Sequence, residues 1–396
     1  MMNADPIVVG GGIGGLTVAL ALARRGVGVT VVEQRTVLTE PGAGIQLSPN
    51  ASRVLMDLGL GSAVGRRAVE PEQLTVHAMG SGRQLAAMPL GRAMRNRHGA
   101  PYWVVLRSDL HTVLLDAARS TPHIRLRIGR KAVDIHEGPL GAAVSVTGDR
   151  GQETLDTPLV IGADGLWSRV RETIAPAIPE FRGYIAWRAT LPITDVPTEL
   201  RGKQSRLWLG RDAHVVHYPV AGGRELNVVA IIASKTTIDG NAKPGDPAEL
   251  KRRMRGCDSN LRKLIEAVPR WLLWPLHDLP PLPRWSHGNA VLIGDAAHPV
   301  LPFLAQGGAL AIEDAAILAQ LVVPEPGEMA VTSSTLATFE DIRKARAARV
   351  QNEARRNGSI YHMRWPLALA RNVAMKRLGA EGFLARYDWL YGWTPQ

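Results

Sequence analysis

Cysteine is nearly missing from this sequence, with Cys257 standing alone. A single thiol closes no intrachain disulfide and builds no thiolate cluster, so a reducing compartment and no metal site are expected. Long apolar runs are missing too. None approaches the roughly 18 to 20 residues that span a bilayer, and no integral membrane segment is expected. Residues 1–6 hold no basic stretch ahead of an apolar core, so no secretory signal is expected and a cytoplasmic location follows. Lysine is scarce: it supplies eight of the 47 basic residues, scattered along the chain. The net charge of +11 therefore does not gather into a tract broken by aromatics, which argues against a nucleic-acid partner. The positive field suits small anions and dinucleotides, and a solvated basic surface accounts for it as well.

What is present is a sequence of 396 residues, a length for two connected domains. Residues 6–10 form a short apolar run, 14–25 read as a helix rich in Ala and Leu, and 27–32 are again β-branched, which together make a βαβ unit. The turn Gly10-Gly11-Gly12-Ile13-Gly14-Gly15 sets Gly10, Gly12 and Gly15 where backbone N–H groups and a helix N-terminus can approach a pyrophosphate. Glu33 ends the next strand, placed to accept hydrogen bonds from ribose hydroxyls. These features predict a dinucleotide site without separating FAD from NAD. Further on, residues 51–60 and 107–120 read as helices, the second capped at Ser108. Residues 74–77 with a turn at 80–82 read as a hairpin that leaves the first sheet. Residues 184–190, 206–209, 213–219 and 225–232 read as an antiparallel sheet. A strand at 290–293 leads to a helix over 308–322, and residues 340–372 read as arginine-rich helix.

Two distant segments bear on the nucleotide. Ile161-Gly162-Ala163-Asp164-Gly165-Leu166-Trp167-Ser168-Arg169-Val170-Arg171 and Leu292-Ile293-Gly294-Asp295-Ala296-Ala297-His298-Pro299 resemble the DG and GD fingerprints of class A flavin monooxygenases, the superfamily of para-hydroxybenzoate hydroxylase. The resemblance takes in Arg107-Ser108-Asp109-Leu110 and the glycine segment 41–46, which ends at Gln46. The aromatic tail Arg386-Tyr387-Asp388-Trp389-Leu390-Tyr391-Gly392-Trp393 resembles that of the 3-hydroxybenzoate and salicylate hydroxylase branch. By itself, Asp164-Gly165 has a strand-ending turn as its lesser alternative, and Asp295 an N-cap.

The resemblance implies one resident FAD, with NADH or NADPH as a transient cosubstrate and O2 reacting through a C4a-hydroperoxyflavin. It places Gly10, Gly12, Gly15, Glu33, Gln46, Arg107, Asp164, Gly165, Gly294, Asp295 and Pro299 at the cofactor. Gly307 and Gly308 would open a helix aimed at the pyrimidine edge of the flavin, although Ala305-Gln306-Gly307-Gly308 departs from the family's commoner G-Q-G. The implied fold is α/β: a Rossmann-like FAD-binding domain (residues 1–72, 99–180 and 284–340) interleaved with an antiparallel β-sheet substrate domain (73–98 and 181–283), then C-terminal helices (341–396). A homodimer stays open.

Hydroxylating a ring requires that water be excluded and that a phenol's proton be drawn off. In Ala213-His214-Val215-Val216-His217-Tyr218-Pro219, strand alternation turns His214, Val216 and Tyr218 to one face and His217 to the other. The segment resembles the substrate strand of 3-hydroxybenzoate 6-hydroxylase and 6-hydroxynicotinate 3-monooxygenase, which implies that His214, then Tyr218, orient the ring hydroxyl. A hydrogen-bonded structural histidine is the alternative. Arg188 can pair with a substrate carboxylate, or backbone amides or Gln306 serve instead. Pro299, Pro302 and Phe303 are expected to wall the flavin face. The expected activity is hydroxylation of a small phenolic or hydroxypyridine acid, 3-hydroxybenzoate- or salicylate-like. Alternatives are an FAD monooxygenase of a larger natural-product aromatic, and an FAD oxidase or reductase.

Overall fold

Short, wholly apolar strands with glycine-rich exits assemble the first sheet, as seen in a computed structural model describing residues 5–38, 43–149, 151–238 and 242–395. Pro41 and Gly42 of the expected glycine segment lie outside the described residues. In spatial order the six strands are Ser286–His287, Ala290–Leu292, Val160–Gly162, Ile7–Val9, Val29–Glu33 and Ile124–Ile128. All neighbours pair in parallel except the Ser286–His287 edge. Ile7–Val9, Val160–Gly162 and Ala290–Leu292 are buried at every position, as parallel strands covered on both faces must be.

Strand order explains why separated motifs meet. Ile7–Val9 lies inside the sheet, with the next parallel strand on one side and Val160–Gly162 on the other. Chain connections leave in opposite directions at such a junction, and a crevice opens beyond the carboxyl ends of the strands. Gly10, Ala163 and Ile293 are the exits of three adjacent parallel strands, so they converge there.

The second sheet has eight strands, ordered Lys243–Gly245, Trp271–Asp278, Glu180–Pro192, Glu225–Ala233, Ala213–Val220, Gln204–Gly210, Gln73–Ala78 and Gln84–Pro89. The expected hairpin is present as the last two strands. One junction departs from the expected antiparallel pattern: Gln204–Gly210 pairs in parallel with Gln73–Ala78. These two strands come from distant parts of the chain, so no tight turn imposes a reversal on them. One face packs Val215, Ala230, Leu261 and Leu264 into a core, with helices Pro247–Arg253 and Ser259–Ala267 supplying its cover. The opposite face carries His214, Val216 and Tyr218, with Asn227 paired to Tyr218 and Arg188 reached through Val229.

Two helices close the structure. Ser333–Tyr361 runs against helix Gly307–Val322 and the turn Pro302–Leu304, close enough that a Cβ on Gly358 would lie 2.9 Å from the Phe303 ring. Leu367–Arg386 lies on the strand Gln84–Pro89. The cap expected at Ser108 is not formed. Leu106 holds the N-cap position of helix Arg107–Arg119, and Ser108, already inside the first turn, uses its carbonyl to accept from Thr112 Oγ1 at 2.8 Å. Among the described residues no helix is long and apolar enough to cross a membrane.

Candidate active site

The glycine turn is built by exclusion of side chains. Gly10 has φ of +108°, and a Cβ there would lie 2.4 Å from the Ala163 carbonyl oxygen. At Gly15 a Cβ would meet Gly10 O at 1.9 Å. Gly10 thus lets the exits of two neighbouring strands approach each other, and Gly15 lets the helix pack against the strand exit. Gly12 differs: among the described residues no atom beyond its chain neighbours lies within 4 Å of its would-be Cβ, and it caps helix Ile13–Arg24 with no side chain on the first-turn N–H groups. Those groups face the crevice, where they can receive an anion. Glu33 braces the turn from the next strand, Oε2 accepting from Gly11 N at 2.8 Å and Oε1 from Arg35 N at 2.8 Å. His111 Nε2 contacts Gly11 O at 2.7 Å.

The crevice is a slot of about 880 Å³, within the usual range for ligand sites. Gly10, Gly12, Glu33, Arg107, Asp164 and Gly165 line one part of it, and Gly294, Asp295, Gly307 and Gly308 line another. Gly15 and Pro299 do not. Asp164 Oδ2 accepts from the backbone of Arg169 and Val170 at 2.6 and 3.1 Å, bracing the start of helix Arg169–Ile174, while its buried Oδ1 has no partner among the described residues. Burial pushes its carboxyl pKa up, against hydrogen bonds from Ser168, Val170 and Arg169. Asp295 lines the slot and its side chain is exposed. The enclosing protein raises its pKa, opposed by the charges of Arg107 and His298. Extended, glycine-lined, with one helix N-terminus at each side and acids between, the slot fits FAD.

The loop that carries Asp295 is anchored beneath by Asp314, whose Oδ2 accepts from Gly294 N at 2.8 Å and contacts His298 Nε2 at 2.6 Å. Arg343 Nε donates to Asp314 Oδ1 at 2.7 Å, and its NH2 lies 2.8 Å from Glu313. Glu313 also accepts from Asn50 at 2.6 Å. Gln306 joins this network: its Oε1 accepts from Asn50 at 3.0 Å and its Nε2 donates to Ser48 at 2.9 Å. With both ends of its amide committed to buried neighbours, Gln306 holds structure together and does not turn toward a substrate carboxylate. Pro299 likewise acts through its backbone, its carbonyl accepting from Gln351 Nε2 at 2.9 Å.

The substrate sheet meets the slot at Arg188, beside Trp274. The guanidinium carbon stands 5.4 Å from the Trp274 ring centroid, a cation–π contact, and the buried Nε has no partner among the described residues. Burial, then the charge of Arg107, lowers the Arg188 pKa to about 10, against the influence of Tyr218; the group stays cationic at neutral pH. Tyr218 packs against Gly44, and its pKa is raised by burial while Arg188 and a hydrogen bond with Gln46 oppose the rise. Gln46 is not among the residues lining the slot. It accepts from Tyr102 OH at 2.7 Å and stands on the Tyr218 side of Arg188.

His214 belongs to another cluster on the same face. Four positions along a strand separate its Cα from that of Tyr218 by about 13 Å, so the two residues do not form one hydrogen-bonded pair. His214 is buried against Phe303 and Tyr361, ring centroids 5.5 and 5.3 Å away, and its Nδ1 lies 2.8 Å from His362 Nε2. Neither His214 nor Tyr218 lines the slot. Phe303 packs on His214 and Tyr184, so it walls the histidine cluster, and Pro302 begins that same turn. His217 points to the opposite face beside Trp208. Among the described residues no group of acids, histidines and cysteine is arranged for a metal ion.

Trp274, Tyr102, Asp314 and His362 lie outside the motifs of the sequence, and Arg343, expected on a solvated or dimer-facing helix, is instead fully buried. One signal was there: Glu313-Asp314, two adjacent acids inside the largely apolar helix Gly307–Val322, must find partners if that helix is buried. Trp274 and His362 carry no comparable local mark.

The family model described as "FAD binding domain" matches residues 3–354. A 3-hydroxybenzoate 6-hydroxylase of Klebsiella oxytoca is 34% identical over 98% of this chain and 96% of its own length. A 3-amino-4-hydroxybenzoate 2-monooxygenase of Streptomyces platensis is 34% identical over 97% and 95%. Among solved structures, a salicylate hydroxylase in complex with its substrate superposes with a TM-score of 0.81 at 24% identity, covering 99% of this chain and 96% of that one. That likeness establishes the architecture, and the first two establish kinship. With the slot and its converging motifs, they identify the chain as a member of the FAD-dependent aromatic hydroxylases, the class A flavin monooxygenases, in the branch of the 3-hydroxybenzoate 6-hydroxylases.

Proposed function

We propose that the protein hydroxylates a small phenolic acid of the 3-hydroxybenzoate or salicylate kind, with NADH or NADPH as electron donor and O2 as oxygen source. The observation that carries this reading is Arg188. A buried cation whose Nε has no partner among the described residues faces the slot beside an aromatic wall, on the same sheet face as His214, and a ring bearing one carboxylate and one hydroxyl complements that pair. The named relatives act on hydroxybenzoates, which agrees with it.

When bound, FAD supplies the redox chemistry, taking electrons from the nicotinamide and delivering one oxygen atom of O2 to the ring. The chain's residues do the rest. The N-terminus of helix Ile13–Arg24 receives the pyrophosphate, Glu33 a ribose, Arg107 and Asp295 the ribityl side, and Gly307 with Gly308 the flavin ring edge. Arg188 holds the substrate carboxylate, and Trp274 and Phe303 keep water from the ring. His214, kept neutral because burial and then His362 hold its pKa well below the ordinary value, accepts the ring hydroxyl's proton. The FAD-binding portion comprises 1–72, 99–180 and 284–340, and the substrate portion 73–98 and 181–283. The lone cysteine favours work in the cytoplasm.

A panel of hydroxybenzoates, hydroxypyridine acids and larger phenols, scored for stimulated NAD(P)H oxidation under labelled O2, tests the reading. One labelled oxygen in a monocyclic acid product is expected. H2O2 release with no oxygenated product would mark an oxidase or reductase instead, and turnover restricted to multi-ring phenols would displace the small acid.

A further inference from the structure

The contact between His214 and His362 joins residues 148 positions apart, at 2.8 Å between Nδ1 and Nε2. His362 ends the long helix Ser333–Tyr361, and Arg371 fixes that end by donating to the carbonyls of Ile360 and Tyr361 at 3.1 and 2.9 Å. The ring is enclosed by Tyr184 at 5.0 Å and Phe303 at 5.8 Å between centroids. Its other nitrogen, Nδ1, is buried without a partner among the described residues. Asp212 is the acidic group facing it and Arg371 the basic one, with Asp212 held by Arg364 at 2.7 Å.

We infer that His362 is a positioning residue for His214: it fixes the tautomer of that imidazole and gives the substrate's proton a way out. The inference rests on the proposed role of His214 as acceptor of the ring hydroxyl's proton. With His214 Nδ1–H donating to His362 Nε2, the lone pair left on His214 is at Nε2. When the substrate's O–H bond breaks, an N–H bond forms at His214 Nε2. The Nδ1 proton crosses to His362 Nε2, and His362 Nδ1 releases its proton to a water reaching it on the Asp212 side. Both rings finish neutral with their tautomers exchanged, and the departed proton balances the phenolate's charge.

This path removes a difficulty that His214 alone would face. Burial, then the neighbouring His362, holds the His214 pKa well below the ordinary value, while burial lowers that of His362 to about 4 against the pull of Asp212. An imidazolium at either position is disfavoured near neutral pH. A pair that hands one proton on while accepting another stores no charge, so neither ring has to ionise. A glutamine in place of His362 can offer one polar group to His214 but cannot exchange tautomers, which separates relay from mere support.

The test follows the appearance of phenolate when the FAD-loaded protein is mixed, without O2 or nicotinamide, with a nitro-substituted 3-hydroxybenzoate whose phenolate absorbs in the visible. In His362→Gln the phenolate is expected to form at least about tenfold more slowly with affinity for the ligand retained, and imidazole is expected to restore the rate in His362→Gly. Unchanged phenolate formation in His362→Gln, or a His362→Gly variant indifferent to imidazole, would overturn the relay. If His214→Ala also forms phenolate at the original rate, the assignment of His214 as proton acceptor is what has failed.

Discussion

Asp314 and His298 lie sixteen residues apart in sequence and 2.6 Å apart in space, directly beneath the loop that presents Asp295. The same carboxylate holds the Gly294 amide and the Arg343 guanidinium, so one buried side chain ties the flavin loop to two helices. Burial alone would raise the Asp314 pKa, but the charges of His298 and Arg343 with the hydrogen bonds from His298 and Gly294 bring it well below the ordinary carboxylate range. Its contribution to stability is therefore complete above the unfolded value of about 3.9 and is lost as pH falls through the lower folded value. Asp314→Asn leaves Arg343 with one fewer counter-charge at a fully buried site, a loss on the order of 3–5 kcal/mol. Thermal melts of the variant should show that loss near neutral pH and a narrowed gap from the unmodified protein under strongly acid conditions. A gap that stays constant to the lowest accessible pH would remove the charge from the explanation.

Asp295 is the acid that the slot keeps for its ligand. Its carboxylate faces the cavity, with Arg107 and His298 as the charges acting on it. Asp295→Ala is expected to fold and to come off gel filtration with little flavin. Asp295→Asn, which retains an acceptor, should hold an intermediate amount. Equal flavin content in all three proteins would mean that the ribityl side lies elsewhere.

Much of this site could be read from the sequence because its parts are local. A strand, a glycine exit and a helix start are contiguous, and Gly10, Gly165 and Gly294 occupy left-handed conformations that make the residue type informative. Their convergence follows from strand order, which parallel βαβ topology constrains. The partners of His214 and Asp314 were not legible, since His362 and Arg343 reach them from a helix whose docking depends on packing over the whole molecule. Alternation along one strand correctly set the facing of His214 and Tyr218, but alternation does not measure how far apart two residues on one face stand. Gln46, expected at the cofactor, and Gln306, expected at the substrate carboxylate, show the same limit: the direction of each side chain was decided by neighbours from other elements, Tyr102 for one and Ser48 with Asn50 for the other.

Arg188 is expected to read the carboxylate. A hydrogen bond to a charged group contributes about 1.5–3 kcal/mol, so Arg188→Met should raise KM for a hydroxybenzoate roughly 10- to 100-fold. The matching phenol without a carboxylate should be unaffected. Arg188→Lys keeps charge but loses the planar fork and its stacking on Trp274, and should fall between. Steady-state kinetics on the acid and the phenol decide the matter, because equal increases in KM for both would show that Arg188 supports the flavin instead.

Gly12 and Gly15 separate binding from folding within one turn. Gly12 has an extended backbone, φ −79° and ψ −172°, and open space around its missing side chain among the described residues, so Gly12→Ala should cost the flavin-stripped protein only the difference between the two residues at an N-cap, about 1 kcal/mol or less. The added methyl group would instead stand where a pyrophosphate approaches the helix N-terminus, and FAD affinity should drop. Gly15→Ala places a carbon 1.9 Å from Gly10 O, which forces the strand and helix apart and should cost about 1–3 kcal/mol or more of stability even without flavin. Melts of the stripped proteins and titration with FAD fluorescence give the two quantities separately. If Gly12→Ala binds FAD as tightly as the unmodified chain, the pyrophosphate does not rest on that helix and the cofactor's placement along the slot has to be redrawn.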